Sequence, residues 1–300
     1  FGMAMKYFAD KSPDYIILET GLGGRLDATN IIKKPALCVI TSIGLDHMEY
    51  LGNAHAEIAA EKAGIIKPDV PVVWMRDRAD VAEVITDTIR RRGAISYEIN
   101  KKNINIIYAD DKKIDFSLNN MYYCNECFEV NSPAHYQPDN ASLAVTAAGV
   151  LGITDTDVVR KGLLKAFWMG RMQRIADGFI IDGAHNDDGI RQFLDSVRML
   201  KPEGGNVIFF SAVKDKHYEG MIDSICKSGL FDKCIALQLE DKRGLDVHTI
   251  CECFRQGGMS VREAENIADG CELAFEEIKA GRDVFAAGSL YFAGEIIRYI

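Results

Sequence analysis

Apolar residues run along this chain in short continuous blocks separated by amphipathic stretches. That is the pattern of buried parallel strands alternating with helices. The first block, Tyr15-Ile16-Ile17-Leu18, closes on Glu19 and is followed by a glycine-rich turn, Gly21-Leu22-Gly23-Gly24. Ahead of it, Phe1 to Ala9 reads as a helix end feeding a loop. Ala36 to Ile40, ending in Thr41-Ser42, and Val70 to Met75 predict two more strands. Residues 54–66 and 78–92 predict helices, the first stopped near Lys67-Pro68. From about 95 to 131 alternation replaces blocks, with polar tips at Asp110-Asp111 and Asn119-Asn120 that read as hairpin turns, so a small antiparallel insertion is expected there. Helices are predicted at 140–151 and 155–166. After Phe167-Trp168-Met169-Gly170-Arg171 the chain restarts as strand–helix alternation, with strands at 178–184, 206–212, 233–239, 259–264 and 283–288, the order of a doubly wound α/β domain. The domain boundary falls near 172, giving residues 1–172 and 173–300.

Composition narrows the function classes. Three hundred residues suit two cores better than one. A net charge of −9 excludes a broad surface for nucleic acid, while local cations can still bind a small anion. Of eight cysteines, Cys124 and Cys127 form one close pair and Cys251 and Cys253 another, too far apart in sequence to suggest a zinc site. Free thiols of a cytoplasmic protein are the expectation. No apolar run reaches the ~20 residues that cross a bilayer, and no signal peptide is visible, so no membrane partner is expected.

Ligands of open α/β sheets gather beyond the carboxyl ends of strands, and three such ends carry polar clusters. The first runs from Glu19 through Thr20-Gly21-Leu22-Gly23-Gly24-Arg25-Leu26-Asp27-Ala28-Thr29 to Asn30. A carboxylate closing a buried strand sits where it can hold Mg²⁺, and glycines let backbone approach a phosphate; a solvated acid before a tight turn reads the same way. The second is Thr41-Ser42-Ile43-Gly44-Leu45-Asp46-His47, whose imidazole is not a typical Mg²⁺ ligand. The third is Asp182-Gly183-Ala184-His185-Asn186. Taken alone, Lys62 in Glu61-Lys62-Ala63-Gly64-Ile65 is one half of a solvated pair, and His55, His135, His217 and His248 are surface groups.

Together these segments resemble the folylpolyglutamate synthase and dihydrofolate synthase family of the Mur ligase superfamily. The three clusters, Glu61 to Ile65, His135-Tyr136-Gln137-Pro138-Asp139-Asn140-Ala141, Gly170-Arg171-Met172-Gln173 and Gly288-Ser289-Leu290-Tyr291 all stand in family order. The resemblance implies a Mur-ligase-like central domain on a P-loop-type sheet and a C-terminal Rossmann-like domain. It implies ATP-dependent ligation of L-glutamate to folate, and also of glutamate to dihydropteroate in dual-function members, through an acyl phosphate. The cofactors implied are ATP and Mg²⁺, with K⁺ as a further candidate cation, in a monomer. By the same resemblance Glu19, His47 and Lys62 are metal ligands, Lys62 after carbamylation by CO₂. Lys62 and His185 are the catalytic candidates. Asn140, Arg171, Asp182 and His185 would contact ATP. Arg25, Asp27, Asp215, Lys216 and Ser289 would contact the folate or glutamate.

Two departures stand out. The family's GxxxxGK[ST] loop is absent from these residues, and only about 18 residues precede Glu19. A chain that starts here is expected to be a truncated ligase and a poor catalyst by itself, because that loop cradles the phosphates. The stretch between Arg171 and Asp182 is short and reads as a trimmed hairpin. Competing readings are a Mur ligase for another carboxylate, a non-catalytic remnant of the fold, and a dinucleotide-dependent oxidoreductase. The last is opposed by the lack of GxGxxG spacing in Gly21-Leu22-Gly23-Gly24.

Overall fold

A computed structural model describes residues 1–200 and 205–300. The chain divides into two compact units: Phe1–Asn105 with Leu118–Glu126 and Asp139–Val159, and Ile106–Ser117 with Cys127–Pro138 and Arg160–Ile300.

The first unit begins with α1 (Gly2–Lys11), and its sheet is formed by β1 (Cys38–Ile40), β2 (Pro71–Arg76) and β3 (Ile95–Asn100), in that order and all parallel. The unit also holds the short α2 (Met48–Leu51), then α3 (His55–Ala63) and α4 (Ala79–Arg92). Ile58, Ala59, Ala63, Val81, Ala82, Ile85 and Ile89 project from α3 and α4 onto Ile40, Val72 and Trp74. The other sheet face buries Val73, Met75 and Ile99 beneath Leu143 of α5 (Gln137–Val150). Residues alternate between these faces along β2, so the apolar block Val72 to Met75 is buried on both sides, as the sequence predicts.

Two expectations fail here. Tyr15 to Leu18 is irregular, with Ile17 93% exposed. An apolar block becomes a strand only where a neighbour pairs with it, and among the described residues none pairs with this one. The second concerns residues 95–100, placed by their alternation at the start of the antiparallel insertion. They pair parallel with β2 instead, from Pro71↔Ile95 to Arg76↔Asn100. β3 is a sheet-edge strand with one exposed face, and such a strand alternates whatever its direction.

The inserted sheet is made of β4 (Ile104–Ala109), β5 (Ile114–Leu118) and β6 (Glu126–Val130), in that order. Its turns lie where the polar tips place them. Asp110 Oδ1 accepts the amides of Lys112 and Lys113, and Asn120 Oδ1 those of Tyr122 and Tyr123.

The second unit is a six-stranded sheet ordered β11-β10-β9-β12-β8-β7 and flanked by helices on both faces. After α6 (Thr156–Lys165), its elements are β7 (Gln173–Ala176), β8 (Phe179–Ile181), α7 (Asp187–Leu200), β9 (Asn206–Phe210), α8 (Tyr218–Lys227), β10 (Phe231–Leu237), α9 (Val247–Gln256), β11 (Ser260–Ala264), α10 (Ile267–Lys279), β12 (Val284–Ala287) and α11 (Leu290–Tyr299). Every pairing is parallel except the β7–β8 hairpin, which is the short turn anticipated between Arg171 and Asp182. Ile180, Ile208, Phe210, Phe285 and Ala287 face α7, α8 and α9, while Phe179, Ile181, Val207, Phe209, Val284 and Ala286 face α10 and α11. Phe209 and Phe292 meet edge to face with centroids 4.7 Å apart. Burying side chains of this size stabilises by about 1.5–3 kcal/mol each, which is why the sheet's centre is a wall of phenylalanine. β12 lies between β8 and β9, so the chain reverses its winding there. The carboxyl ends of these three strands lie side by side, with the Asp182 amide on the Ala286 carbonyl at 2.8 Å and the Gly288 amide on the Ala184 carbonyl at 2.8 Å.

Candidate functional site

In the first unit the glycine-rich loop closes on the end of α3. Gly24 packs on the Glu61 and Lys62 carbonyls, and the Arg25 amide donates to the Glu61 carbonyl at 2.8 Å. The Arg25 guanidinium pairs with the Glu61 carboxylate at 2.9 Å. Asn30 Nδ2 spans the Arg25 carbonyl at 2.9 Å and the Gly64 carbonyl at 3.3 Å. Two motifs more than thirty residues apart in sequence thus form one body.

That body borders a cavity of about 190 Å³ lined by Thr20, Gly21, Leu22, Gly23, Gly44, Asp46, His47, Leu51, Ile58 and Lys62. The structure therefore brings residues of the first two strand-end clusters and Lys62 to one cavity. Glu19 directly precedes this wall, is exposed and does not line the cavity. His47 adopts a left-handed backbone, φ 52°, immediately before α2, and its amide donates to Asp46 Oδ1 at 2.8 Å. A non-glycine residue held in this region stores about 1–2 kcal/mol of strain, and such strain gathers at functional sites. Lys62 is half-buried, and that burial lowers its pKa while the nearby Asp46 carboxylate opposes the shift. Burial favours the neutral amine, the form that reacts with CO₂.

Among the described residues, no three His, Cys, Asp or Glu side chains are placed to hold a metal ion. Mg²⁺ keeps several waters and is held by one or two carboxylates plus substrate phosphates. The donors available here, the Thr20 hydroxyl, the Asp46 carboxylate and the His47 imidazole, fit a hydrated ion shared with a phosphate rather than an all-protein cage. Asp46 was missed by sequence reasoning; its place directly before His47 in the second cluster was the available signal.

Asp27, a substrate candidate, is occupied by the loop itself. Its carboxylate accepts the Thr29 hydroxyl at 2.6 Å and the amides of Thr29, Gly21 and Leu22 at 2.9, 2.8 and 3.1 Å. These donors, the Thr29 hydroxyl foremost, hold its pKa at about 2 against an ordinary 3.8. A depressed carboxylate stabilises the fold above its unfolded pKa, and the contribution disappears as pH falls through the folded value. Asp27→Asn is expected to cost about 1 kcal/mol at neutral pH and to flatten the stability profile between about 3.8 and 2. Denaturant titrations at a series of pH values check this; superimposable profiles for the two proteins would remove the anchoring role.

In the second unit Asp182 closes β8. It is only 2% exposed, and its Oδ2 accepts the Tyr136 hydroxyl at 2.8 Å and the Met172 amide at 2.9 Å. Oδ1 accepts the Ala184 amide at 2.8 Å, which leaves that oxygen acceptor capacity for one more donor. Burial raises the Asp182 pKa against the pull of Tyr136 and the Arg171 guanidinium, and it pushes the Tyr136 phenol well above its ordinary range. His185 Nδ1 lies 2.8 Å from the Gly183 carbonyl, which can only accept, so the proton resides on Nδ1. Asp215 is exposed and Lys216 half-buried, on the loop after β9; the next residue, His217, pairs with Asp187 at 2.8 Å.

Ser289 is 2% exposed and caps α11, its hydroxyl accepting the Tyr291 amide at 3.2 Å. Asn140 stands exposed in the first turn of α5, in the first unit. Tyr136 was given no role by sequence reasoning, although it stands in the segment His135 to Ala141 that carries the family resemblance.

Comparison with known proteins agrees with this arrangement. Residues 3–148 match the Mur ligase middle domain, and residues 170–290 match the Mur ligase, glutamate ligase domain. Fold and domain order therefore define a Mur-type ligase architecture. Dihydrofolate synthase/folylpolyglutamate synthase of Bacillus subtilis is 36% identical over 232 residues, covering 73% of this chain and 53% of that protein. Dihydrofolate synthetase of Saccharomyces cerevisiae is 30% identical over 98% of this chain and 73% of its own length. Folylpolyglutamate synthase of Mycobacterium tuberculosis, complexed with ADP and AMPPCP, superposes with a TM-score of 0.86 at 27% identity, covering 97% of this chain and 70% of that one. FolC of Escherichia coli in complex with DHPP and ADP gives 0.79 at 26% identity, over 94% and 65%. The chain belongs to the folylpolyglutamate synthase and dihydrofolate synthase family. It spans about half the length of the Bacillus relative, 53%.

Proposed function

We propose that the protein uses ATP to join L-glutamate to a folate-type carboxylate, with tetrahydrofolate and its polyglutamates, or dihydropteroate, as acceptors. The observation that carries this reading is the cavity that places Asp46, His47 and Lys62 against the glycine-rich loop. In the proposed reaction a carboxylate oxygen of the acceptor attacks the γ-phosphorus of ATP and ADP leaves. The glutamate nitrogen, as the neutral amine, then attacks the acyl carbon, phosphate leaves, and the nitrogen gives up one proton to solvent and keeps the other as the amide N–H. Phosphoryl transfer of this kind needs positioning and charge neutralisation more than a protein nucleophile.

In the first unit, Asp46 and His47 in the cavity would hold Mg²⁺, with Glu19 at the cavity's border as a further ligand, and Lys62 as its carbamate would add an anionic oxygen. Mg²⁺, once bound, offsets phosphate charge. Arg25 and Asp27 lie on the acceptor's side; the hydrogen bonds on Asp27 favour a role in shaping the loop that meets the acceptor. Asn140 contacts the nucleotide from α5. In the second unit, Arg171 neutralises phosphate, Asp182 accepts a ribose hydroxyl, and His185 lies beside the nucleotide. Asp215, Lys216 and Ser289 serve the incoming glutamate, Ser289 through the helix that it caps. A cytoplasmic monomer belongs to the same reading; among the described residues no helix is long and apolar enough to cross a membrane.

The test is phosphate release by the complete gene product with dihydropteroate and with tetrahydrofolate, each with and without L-glutamate. Glutamate-dependent release with either acceptor is expected, and none with both would end this reading. His47→Ala and Glu19→Ala are each expected to raise the Mg²⁺ concentration for half-maximal rate by about tenfold or more. Unchanged Mg²⁺ dependence in both variants would remove the metal assignment.

A further inference from the structure

Tyr136 has no role in the reaction as described so far, yet its hydroxyl stands between the two second-unit residues assigned to the nucleotide. It donates to Asp182 Oδ2 at 2.8 Å, and the phenol oxygen itself accepts from the Arg171 guanidinium. A phenol can donate one hydrogen bond and accept another, so both contacts form at once. The ring packs against the core beneath α7. Its backbone is fixed on both sides: the His135 amide donates to Ser196 Oγ on α7 at 2.9 Å, and the Gln137 amide to the Ala134 carbonyl at 2.9 Å. The hydroxyl is therefore held in place before any ligand arrives.

Arg171 needs such a partner because it sits in a turn whose next residue, Met172, is held in the left-handed region. It lies between Gly170 at φ 69° and Met172 at φ 46°, and Met172 is fully buried in the left-handed conformation. Hydrogen bonds hold this turn on both sides: the Met172 amide on Asp182 Oδ2 at 2.9 Å, the Gly170 amide on Gln173 Oε1 at 2.8 Å and the Gly183 amide on the Gly170 carbonyl at 2.7 Å. The oxygen that anchors the turn is the one that Tyr136 grips. A long, half-exposed arginine on an unsupported turn would sample many rotamers, and each must be given up when a phosphate binds.

We propose that Tyr136 is a positioning residue of the nucleotide site, its hydroxyl locking the Asp182 carboxylate and steering the Arg171 guanidinium toward a nucleotide phosphate. This rests on the reading of Arg171 and Asp182 as nucleotide contacts. Tyr136 touches neither the reacting atoms nor the glutamate.

Tyr136→Phe keeps the ring and removes the hydroxyl. In the complete gene product it is expected to raise KM for ATP about tenfold, the equivalent of one charge-assisted hydrogen bond. KM for glutamate and for the acceptor should stay within about twofold, and kcat should fall less than KM rises. Arg171→Lys should produce a similar rise in KM for ATP, and the double variant should be no worse than the poorer single one, because both changes break the same link. A purely structural tyrosine would instead lower the thermal midpoint and weaken all three substrates alike. A second readout needs no turnover. The Arg171 guanidinium N–H signals in ¹⁵N-labelled protein without ligand should be slow to exchange in the wild type and fast in Tyr136→Phe. Absence of ligase activity in the wild type with those signals behaving as expected would defeat the functional reading and leave the positioning intact. An unchanged guanidinium N–H exchange rate, an unchanged KM for ATP, or additive effects in the double variant would overturn the role of Tyr136.

Discussion

Lys62→Ala is expected to lower glutamate-dependent turnover of the complete gene product by about 100-fold, the scale on which loss of one preorganised charge contact acts. The side chain emerges from the last turn of α3 into the cavity shared with Asp46 and His47. An ordinary solvated lysine would gain nothing there. A half-buried one, its ammonium disfavoured by the surroundings, can release a proton, add CO₂ and become an anionic ligand. Lys62→Arg keeps the positive charge and cannot form the carbamate, so it should be as impaired as alanine. Short carboxylic acids such as acetate should restore part of the rate to Lys62→Ala and none to Lys62→Arg, where the guanidinium fills the space. Full activity of Lys62→Ala without added acid would exclude the carbamate.

Gly64→Ala should unfold the first unit far more readily than its local backbone suggests. Gly64 ends α3 with φ −59° and ψ −17°, a conformation any residue adopts. On that ground alone alanine would stabilise by about 0.4–1 kcal/mol through the unfolded chain. The neighbours reverse the sign. A Cβ at Gly64 would lie 2.4 Å from Arg25 Cβ and 2.6 Å from Arg25 Cα, and a backbone atom cannot swing aside as a side-chain tip can. The glycine-rich loop would have to lift off α3, breaking the Arg25–Glu61 pairing and the two Asn30 bonds. Overpacking of this kind costs about 1–3 kcal/mol, and loss of the loop contacts should bring the total to the upper end. Gly24→Ala, whose Cβ would meet the Glu61 and Lys62 carbonyls at 3.0 and 3.1 Å, should act in the same direction but more weakly. Chemical denaturation of the three proteins checks the order; a Gly64→Ala protein as stable as the wild type would mean that the loop does not pack on α3.

Much of this protein was already written in its local pattern. Strand-length apolar segments alternating with helical ones from 178 to 288 pointed to a doubly wound second unit, because such strands leave water only when both faces of a sheet are covered. Turn chemistry at Asp110 and Asn120 marked the hairpin tips, because an Asx side chain satisfies its own turn's amides without help from elsewhere. The spacing of the motifs identified the family and most of the candidate residues.

Only tertiary structure decided the rest, wherever the outcome depended on a partner distant in sequence. Tyr15 to Leu18 has the composition of a strand and no neighbour to make it one, whereas β3 alternates like a hairpin strand and is claimed by β2. Asp27 and Ser289 stand in family motifs, and the hydrogen bonds they accept are those of a loop anchor and a helix cap. Lys62 is an unremarkable helix residue until the second strand-end cluster folds over it, and Tyr136 gains its buried carboxylate partner only because β8 carries Asp182 to its hydroxyl, 46 positions further along the chain. Local sequence fixes conformation through backbone torsions and nearest-neighbour hydrogen bonds. Side-chain pKa, strain and partnership come from groups that only the folded chain brings within a few ångströms of one another.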